Sequence, residues 1–402
     1  MKFVNSDFEL KDSKIDGTSK LSRVILVRYG EIFLKSDPVF RILEGKLIKN
    51  IKEAFKKNGV DCKIERERGR IFIHTSQEDK ACEILKNVFG IVSFSPCICL
   101  QTSEIEKIAN FCKMNYDKWI DEDETFAVRV KRVGKHEYTS QQLADAIGKV
   151  IDRKVDLKNP DKEIFIEVRD DKTYIYTEVF KGLGGLPIDA SGKVVSLISG
   201  GIDSPVASWL MMKRDCRVIY THFHSFPVVS KASIYKTREI IKKLNKYQLK
   251  SKVYFVPLSD IQIYLKTRVP SKYLVILYRR FMVRIAEEIC RKENAKAIVT
   301  GESLAQVASQ TLESLEAIEE ATTLPILRPL VGMDKSEIIE LAKMIGTYEI
   351  SIRPQEDCCQ LFTPRHPTAK PKLSKIKEIE KNIPIEKLVK NALEKVEVEI
   401  ID

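Results

Sequence analysis

The stretch Leu197-Ile198-Ser199-Gly200-Gly201-Ile202-Asp203-Ser204 decides the architecture of the second half of this chain. The apolar, β-branched run Val194–Ile198 that leads into it predicts a strand buried on both faces. Ser204-Pro205 predicts a helix start, with the hydroxyl as the cap and proline at the first helical position. Glycines let the main chain approach an anion closely, and a helix N-terminus offers unpaired N–H donors. The stretch therefore predicts a phosphate-binding turn.

The side chains of this turn indicate the kind of phosphate compound. The hydroxyls of Ser199 and Ser204 are donors, whereas the carboxylate of Asp203 repels an anion unless a cation lies between them. Asp203 is therefore predicted to be a partner of Mg²⁺ or an orienting group. No Gly-Lys pair in the chain is followed by Ser or Thr, which excludes a Walker-type P-loop. The predicted nucleotide contacts in the turn are Ser199, Gly200, Gly201, Ile202 and Ser204.

Strands alternate with helices over the second half of the chain. This order is typical of a doubly wound parallel sheet, an α/β fold in which ligands bind at the carboxyl ends of the strands. We expect this domain to span residues 193–402, after a linker at 181–192 whose first seven residues contain three glycines and a proline. The predicted strands are Val194–Ile198, Arg217–Phe223, Val253–Pro257, Ala297–Thr300 and Ile326–Leu330.

The first half of the chain predicts two smaller α+β domains. Residues 1–22 show little periodicity and predict a flexible extension. Residues 23–100 have the order β-α-β-β-α-β of a ferredoxin-like domain. Residues 101–180 predict a second domain, in which cations gather where one strand opens into the next helix. These cations are Arg129, Lys131, Arg132 and Lys135. They form either an ordinary solvated edge or an RNA-binding surface.

Composition narrows the class of protein. The chain has 402 residues and a formal net charge of +11, from 68 Lys and Arg against 57 Asp and Glu. Such a balance fits a polyanionic partner, although a lysine-rich proteome also produces basic proteins. No apolar run reaches the roughly 18 residues of a membrane span, and no signal peptide begins the chain. We therefore expect a cytoplasmic protein without membrane attachment, whose nine cysteines are thiols.

Two further motifs lie on the predicted α/β domain. His222-Phe223-His224 ends the second strand, where it is predicted to border a purine ring. A metal site is the alternative, but no third or fourth ligand is apparent. Arg279 and Arg280 point about 100° apart on a predicted helix, so at most one of them faces the strand ends. A guanidinium there suits a phosphate or a departing pyrophosphate.

Cys358-Cys359 follows the last predicted α/β unit, in a loop bounded by Arg353 and Pro367. Neighbouring cations favour the thiolate, so we interpret this pair as a nucleophile rather than an accidental vicinal pair. The other cysteines are scattered beside apolar residues and are expected to be small core residues.

These motifs together resemble a known family. Ser199–Ser204 resembles the SGGxDS signature of PP-loop ATP pyrophosphatases, and the Arg-Val-Lys-Arg strand with its neighbours resembles a THUMP domain. From about residue 23 to 370 the chain resembles the tRNA 4-thiouridine synthetase (ThiI) family. The segments that carry this resemblance are Val27–Ile32, Gly182–Pro187, Thr300–Thr311 and Ile326–Leu330.

The resemblance implies a specific reaction. ATP would adenylate the uridine at tRNA position 8, and a cysteine persulfide would then replace the activated oxygen with sulfur. It implies that the active cysteine is Cys359 or Cys358, with Cys359 preferred, and that the protein is a homodimer. By position, the implied ATP contacts are Leu197, Ile198, His222, Phe223, Arg279, Gly301 and Gln310.

The chain departs from parts of the family pattern. Nothing follows Asp402 that would form the rhodanese-like domain of many bacterial members, so we expect an external sulfur donor, either a desulfurase persulfide or sulfide. No CxxC pair occurs, so no iron–sulfur cluster is expected. Two rivals stay open: another PP-loop synthetase, and a non-catalytic RNA-binding protein with a relic nucleotide site.

Overall fold

The computed structural model describes residues 21–67, 69–307, 309–354 and 368–402. They group into two compact units. The first contains the residues up to Phe33, Ile51–Lys86 and Ile91–Gly184, and the second contains Leu34–Asn50, Asn87–Gly90 and the chain from Gly185 onward. Of the predicted extension, residues 1–20 lie outside the described residues, and Ser22 already begins the first strand.

The ferredoxin-like prediction for the first domain is confirmed. Its elements follow in the order β1 (Ser22–Tyr29), α1 (Asp37–Lys57), β2 (Lys63–Glu67), β3 (Arg70–His74), α2 (Glu78–Leu85) and β4 (Ile91–Leu100). The strands pair in the order β2-β3-β1-β4, with β1 antiparallel to both of its neighbours. The apolar middle of β1 is buried because it lies between two other strands.

The second small domain contains α3 (Ile105–Asn115), β5 (Phe126–Val133), α4 (Ser140–Val150), β6 (Lys162–Arg169), β7 (Lys172–Tyr176) and β8 (Phe180–Lys181). Helices α3 and α4 pack on one face of the strands, around Phe111, Phe126, Leu143 and Ile147. Strand β4 pairs with β7, so the two small domains share one eight-stranded sheet. This pairing is non-local, and the sequence pattern does not reveal it.

The second unit is the predicted doubly wound α/β fold. Its first half contains β9 (Gly192–Leu197), α5 (Asp203–Lys213), β10 (Cys216–His224), α6 (Ala232–Gln248), β11 (Ser251–Pro257), α7 (Ser259–Lys266) and α8 (Leu274–Glu293). Its second half contains β12 (Ile298–Val299), α9 (Leu312–Glu319), β13 (Ile326–Leu327), α10 (Lys335–Met344), α11 (Tyr348–Ser351), α12 (Leu373–Glu380), α13 (Ile385–Glu394) and β14 (Glu397–Ile401).

The strand order of this sheet, β13-β12-β9-β10-β11-β14, positions the site. All five predicted strands are present and parallel, and β14 is an additional antiparallel edge strand beside β11. The chain runs outward from β9 in one direction to β11 and in the other direction to β13. The carboxyl ends of β9 and β12 therefore form the topological switch point at which such sheets bind ligands.

Helix α8 anchors the core of this unit, with Phe281 and Ile285 completely buried against the sheet. One charged residue on the same helix, Arg280, is only 1% exposed. It donates to both carboxylate oxygens of Glu380 at 2.8 and 2.7 Å, and Arg284 donates to the same carboxylate. Burial alone would raise the pKa of Glu380, but these bonds hold it at about 2. The cluster fixes α12 to α8.

Two glycines of the predicted linker are required by close contacts. In the first unit, a Cβ on Gly182 would lie 2.2 Å from the carbonyl oxygen of Ile91. In the second unit, a Cβ on Gly185 would lie 2.3 Å from the carbonyl oxygen of Lys213, and Gly185 has a φ of +71°. Among the described residues, no helix is both long and apolar enough to cross a bilayer.

Candidate nucleotide-binding site

The turn between β9 and α5 is closed by its own serines. The backbone N–H of Ser199 donates to Ser204 Oγ at 2.9 Å, and the backbone N–H of Gly201 donates to Ser199 Oγ at 3.2 Å. Helix α5 begins at Asp203 and its N-cap is Ile202, without a side-chain cap. The prediction that Ser204 caps the helix with Pro205 at its first position is therefore wrong. The Ser204 hydroxyl binds the turn instead, and the helix N-terminus stays open.

Gly301 lies against this helix N-terminus. It follows β12, and a Cβ at this position would lie 2.7 Å from the backbone nitrogen of Ser204 and 2.9 Å from the carbonyl carbon of Asp203. Only a residue without a side chain allows this approach. The two predicted positions, about 100 residues apart, are therefore brought together at the switch point.

Asp203 forms an ion pair that the sequence analysis missed. Lys335 Nζ lies 2.5 Å from Asp203 Oδ1, and the side chains are 40% and 24% exposed. Lys335 is the first residue of α10, which is capped by Asp334 through a capping box with Glu337. The capping signature Asp334-Lys335-Ser336-Glu337 was readable in the sequence, but nothing local relates it to the turn. An ammonium group at this position can contact a phosphate.

A second cluster of charges lies at the ends of β12 and β13. Glu302 is buried and accepts bonds from Arg279 at 2.5 Å, Arg328 at 2.9 Å and Thr300 at 3.0 Å. Among the described residues, Arg279 Nε and Arg328 Nη2 are buried nitrogens without a hydrogen-bond partner. Two positioned guanidinium groups thus keep unused donors. Arg279 is the arginine of its pair that faces the strand ends, since the adjacent Arg280 is buried in the α8–α12 cluster.

The remaining predicted nucleotide contacts lie around the same sheet edge. His222 and Phe223 are buried at the end of β10, and His222 Nδ1 lies 3.0 Å from the carbonyl oxygen of Ile198. Leu197 ends β9, and Gly200 is buried in the turn. Gln310 is 7% exposed, and its Oε1 has no partner among the described residues.

The metal alternative for His222 and His224 gains no support. Within the described part of the chain, no group of three or more His, Cys, Asp or Glu side chains could hold a metal ion. The two imidazoles have other roles. His222 Nε2 lies 3.4 Å from Ser233 Oγ, and His224 Nδ1 accepts a bond from the backbone N–H of Phe226. Burial lowers the pKa of His224, so its neutral form is favoured.

Three family profiles and several known proteins match this chain. Family profiles described as Thiamine biosynthesis protein (ThiI), ThiI ferredoxin-like domain and THUMP domain match residues 189–385, 24–95 and 103–178. A probable tRNA sulfurtransferase of Acetivibrio thermocellus is 43% identical over 392 residues, which cover 94% of this chain and 98% of the relative. The corresponding protein of Brevibacillus brevis is 41% identical over 388 residues, which cover 94% of this chain and 96% of the relative. This chain belongs to the tRNA sulfurtransferase family.

A solved structure extends the comparison to the fold. The crystal structure of a 4-thiouridine synthetase in complex with RNA and bound ATP matches this chain with a TM-score of 0.86 and 36% identity. The match covers 95% of this chain and 100% of that one. The family resemblance and the fold class predicted from the sequence are therefore confirmed.

The cysteine pair Cys358-Cys359 lies outside the described residues, but the residues on both sides of it are described. Before the pair, the Ser351 hydroxyl donates to the carbonyl oxygen of Gly201 at 3.2 Å. After the pair, the backbone N–H of Thr368 donates to the carbonyl oxygen of Lys272, and the Thr311 hydroxyl donates to that of Ala369. The described residues on the two sides of the pair therefore contact the turn, through Ser351, and Thr311, the neighbour of Gln310.

The seven described cysteines are poor nucleophiles. Burial raises the pKa of every one of their thiols, so the protonated form prevails near neutral pH. The pKa rises to about 12 for Cys82, Cys112 and Cys290. It also lies above its ordinary value for the other four, which are Cys62, Cys97, Cys99 and Cys216.

Three of the predicted RNA-contacting cations divide between the two faces of β5, an edge strand of the first unit's sheet, and Lys135 follows the strand. Arg132 lies on the helix side, where it donates to Ser140 Oγ and stacks on Tyr138. Arg129 and Lys131 lie on the opposite face, and Arg129 pairs with Glu163 at 2.7 Å. Lys131 and Lys135 are exposed.

Proposed function

We propose that this protein is an ATP-dependent tRNA sulfurtransferase that converts the uridine at tRNA position 8 into 4-thiouridine. The observation that carries this proposal is the open N-terminus of α5 behind the Ser199–Gly201 turn, with Gly301 packed against it. This arrangement offers main-chain donors to a polyphosphate without a side chain in the way. Family membership and the RNA- and ATP-bound relative support the same activity.

The charges of the site fit a magnesium nucleotide. Asp203 and Lys335 neutralise each other, and Arg279 and Arg328 are matched by Glu302 and Glu319. The described side chains therefore bring donors but little net positive charge. Asp203 would hold Mg²⁺ once its bond to Lys335 opens, and the ion would supply the charge that a triphosphate needs.

The other contacts are assigned by position. Lys335 and the unused guanidinium nitrogens of Arg279 and Arg328 would bind the departing pyrophosphate. His222 and Phe223, with Leu197 and Ile198, would border the adenine, and Gln310 Oε1 accepts no bond from the described residues. In the first step, uracil O4 would attack the α-phosphorus, and pyrophosphate would leave.

The second step would be sulfur transfer. A persulfide on Cys359 would attack C4 of the activated base, and AMP would leave. Cys358 would then attack the Cys359 sulfur, so that the sulfur–sulfur bond to the base breaks and 4-thiouridine is released. The product on the enzyme is a disulfide, which a cellular thiol must reduce. The raised thiol pKa values of the described cysteines support this assignment by making them unsuitable.

The test is a comparison of two yields. Purified Cys359→Ala and Cys358→Ala should release pyrophosphate from ATP in the presence of tRNA but form no 4-thiouridine, whereas Cys216→Ala should match the wild type. Normal thiolation by both variants would refute the persulfide assignment. Absence of pyrophosphate release by the wild type would refute adenylation and favour a protein that only binds RNA.

The remaining proposals concern partners. The exposed Lys131 and Lys135, with Arg129 and Arg132, would contact tRNA phosphates. The sulfur would come from an external donor. A desulfurase persulfide would pass its outer sulfur to the Cys359 thiolate, whereas sulfide would attack the Cys358–Cys359 disulfide left by the previous turnover, giving the Cys359 persulfide and the Cys358 thiol. The protein would act in the cytoplasm as a homodimer without an iron–sulfur cluster. Mass spectrometry of tRNA nucleosides from a deletion strain would test the cellular role.

A further inference from the structure

Lys236 is a buried lysine whose contacts lie next to the candidate site. It is on α6 and is only 7% exposed. Its Nζ donates to two main-chain carbonyl oxygens, those of Ser351 at 2.8 Å and Arg353 at 2.7 Å. Burying an ammonium group is costly unless its donors are satisfied. Its charge therefore fixes the main chain at the end of α11.

The neighbours of Lys236 connect it to the nucleotide site. On the same helix, Ser233 Oγ lies 3.4 Å from His222 Nε2, and Thr237 Oγ1 lies 3.3 Å from His222 Nδ1. On the other side, the Ser351 hydroxyl donates to the carbonyl oxygen of Gly201 in the phosphate turn. The same short piece of main chain is thus held by the turn through Ser351 and by α6 through Lys236.

The sequence shows where this main chain leads. Arg353 is five residues before Cys358, and five residues span at most about 18 Å when fully extended. A displacement of the carbonyls held by Lys236 would therefore displace the start of the chain that carries both cysteines.

We propose that Lys236 is a positioning residue that couples the two half-reactions, because it holds the start of the cysteine-bearing chain at a fixed place relative to the phosphate turn. This inference rests on the proposed function. It assigns Lys236 no contact with ATP or tRNA. Its loss should therefore leave adenylation intact and impair sulfur transfer.

The experiment measures pyrophosphate released per 4-thiouridine formed, with full-length protein, tRNA, ATP and a persulfide donor. Lys236→Met keeps the aliphatic stem but removes all donors. We expect its pyrophosphate rate to stay within threefold of the wild type, while the ratio rises at least tenfold. Ser351→Ala, which removes only the bond to Gly201, should raise the ratio about threefold and covers the case in which Lys236→Met does not fold.

A matched control is available on the same two segments. Glu239 on α6 pairs with Arg353 at 2.7 Å, and both side chains are about half exposed. Exposed pairs of this kind contribute little, so Glu239→Gln should keep the wild-type ratio. A wild-type ratio in both Lys236→Met and Ser351→Ala would refute the inference alone. A parallel loss of both products in each variant would also refute it, since it would indicate a general structural role. A wild type that forms no 4-thiouridine would instead refute the proposed function.

Discussion

Replacing Gly301 with alanine tests whether the switch point is the nucleotide site. The added Cβ would lie 2.7 Å from the Ser204 nitrogen, 2.8 Å from its Cα and 2.9 Å from the Asp203 carbonyl carbon. All three atoms belong to the main chain at the N-terminus of α5, so no side-chain rotation relieves the contact. Ordinary van der Waals contact begins at 3.4 Å, so the first turn of α5 must shift by about 0.7 Å.

The size of this shift determines how much ATP affinity the substitution should cost. A donor displaced by about 0.7 Å from an ideal distance of about 2.9 Å no longer forms a hydrogen bond. A bond to a charged group contributes about 1.5–3 kcal/mol, and each 1.4 kcal/mol is tenfold in affinity. Loss of one such bond to the triphosphate should raise the Kd for ATP by about 10- to 100-fold. Overpacking should also lower the free energy of unfolding by about 1–3 kcal/mol.

Calorimetric titration with Mg-ATP, well below the melting temperature of each variant, separates the two effects. Gly332→Ala is the matched control, because a Cβ there meets no atom within 4 Å. It should bind ATP with wild-type affinity. If Gly301→Ala binds ATP as tightly as the wild type while its melting temperature falls, the contact with α5 is structural and the phosphate turn lies elsewhere.

Three other perturbations have defined outcomes. Lys335→Met should lower kcat for pyrophosphate release by about 10²-fold, as expected for the loss of one positioned donor, and should leave the affinity for tRNA unchanged. An equal loss of kcat and of tRNA affinity would contradict the assignment of Lys335 to the pyrophosphate. Burial raises the pKa of Glu380, but its two guanidinium partners lower this pKa to about 2. The ionised carboxylate therefore stabilises the fold fully above the ordinary pKa of 4.5, and this stabilisation is lost as the pH falls from 4.5 toward 2. Urea unfolding between pH 7 and 3 should show a weaker pH dependence for Glu380→Gln. Glu378→Gln should change the dependence less, because the Lys375 pair that lowers the pKa of Glu378 is exposed. The double variant Lys131→Ala with Lys135→Ala should weaken tRNA binding. It should also reduce the slope of log K against log salt concentration by about 0.9 for each phosphate that these lysines neutralise. An unchanged slope would show that neither lysine contacts a tRNA phosphate.

Local patterns predicted the elements of this fold but not all of their pairings. The β-branched runs before Ser199 and along β10 and β11 specify buried parallel strands, and all five predicted strands are present. Strand β14 was not predicted, although Glu397-Val398-Glu399-Ile400 alternates as a half-buried edge strand does. The pairing of β4 with β7 depends on residues distant in the sequence, which no local period encodes.

Within the candidate site too, local sequence patterns predict single features but not which distant residues come into contact. The predicted turn and Gly301 meet because a doubly wound sheet brings strand ends together, so knowledge of the fold class suffices to place them. Lys335 comes to Asp203 from the start of α10, and its capping box identifies a helix start but no binding partner. The helix start at Ser204 was predicted from hydroxyl and proline chemistry, but the Ser199 N–H competes for that hydroxyl and takes it.

The charge balance of the candidate site suggests a way in which the proposed function would distinguish a nucleotide from other anions. Because Arg279 and Arg328 share Glu302, and Lys335 is held by Asp203, every described cation of the site already has an anionic partner. A site with surplus cations would bind any polyphosphate, whereas here an incoming anion must compete with fixed carboxylates. Mg²⁺ would reverse this competition, since it gives Asp203 a new partner and frees Lys335 for a phosphate. Under the proposed function, the carboxylates would thus make binding depend on the metal complex of the nucleotide rather than on its negative charge alone.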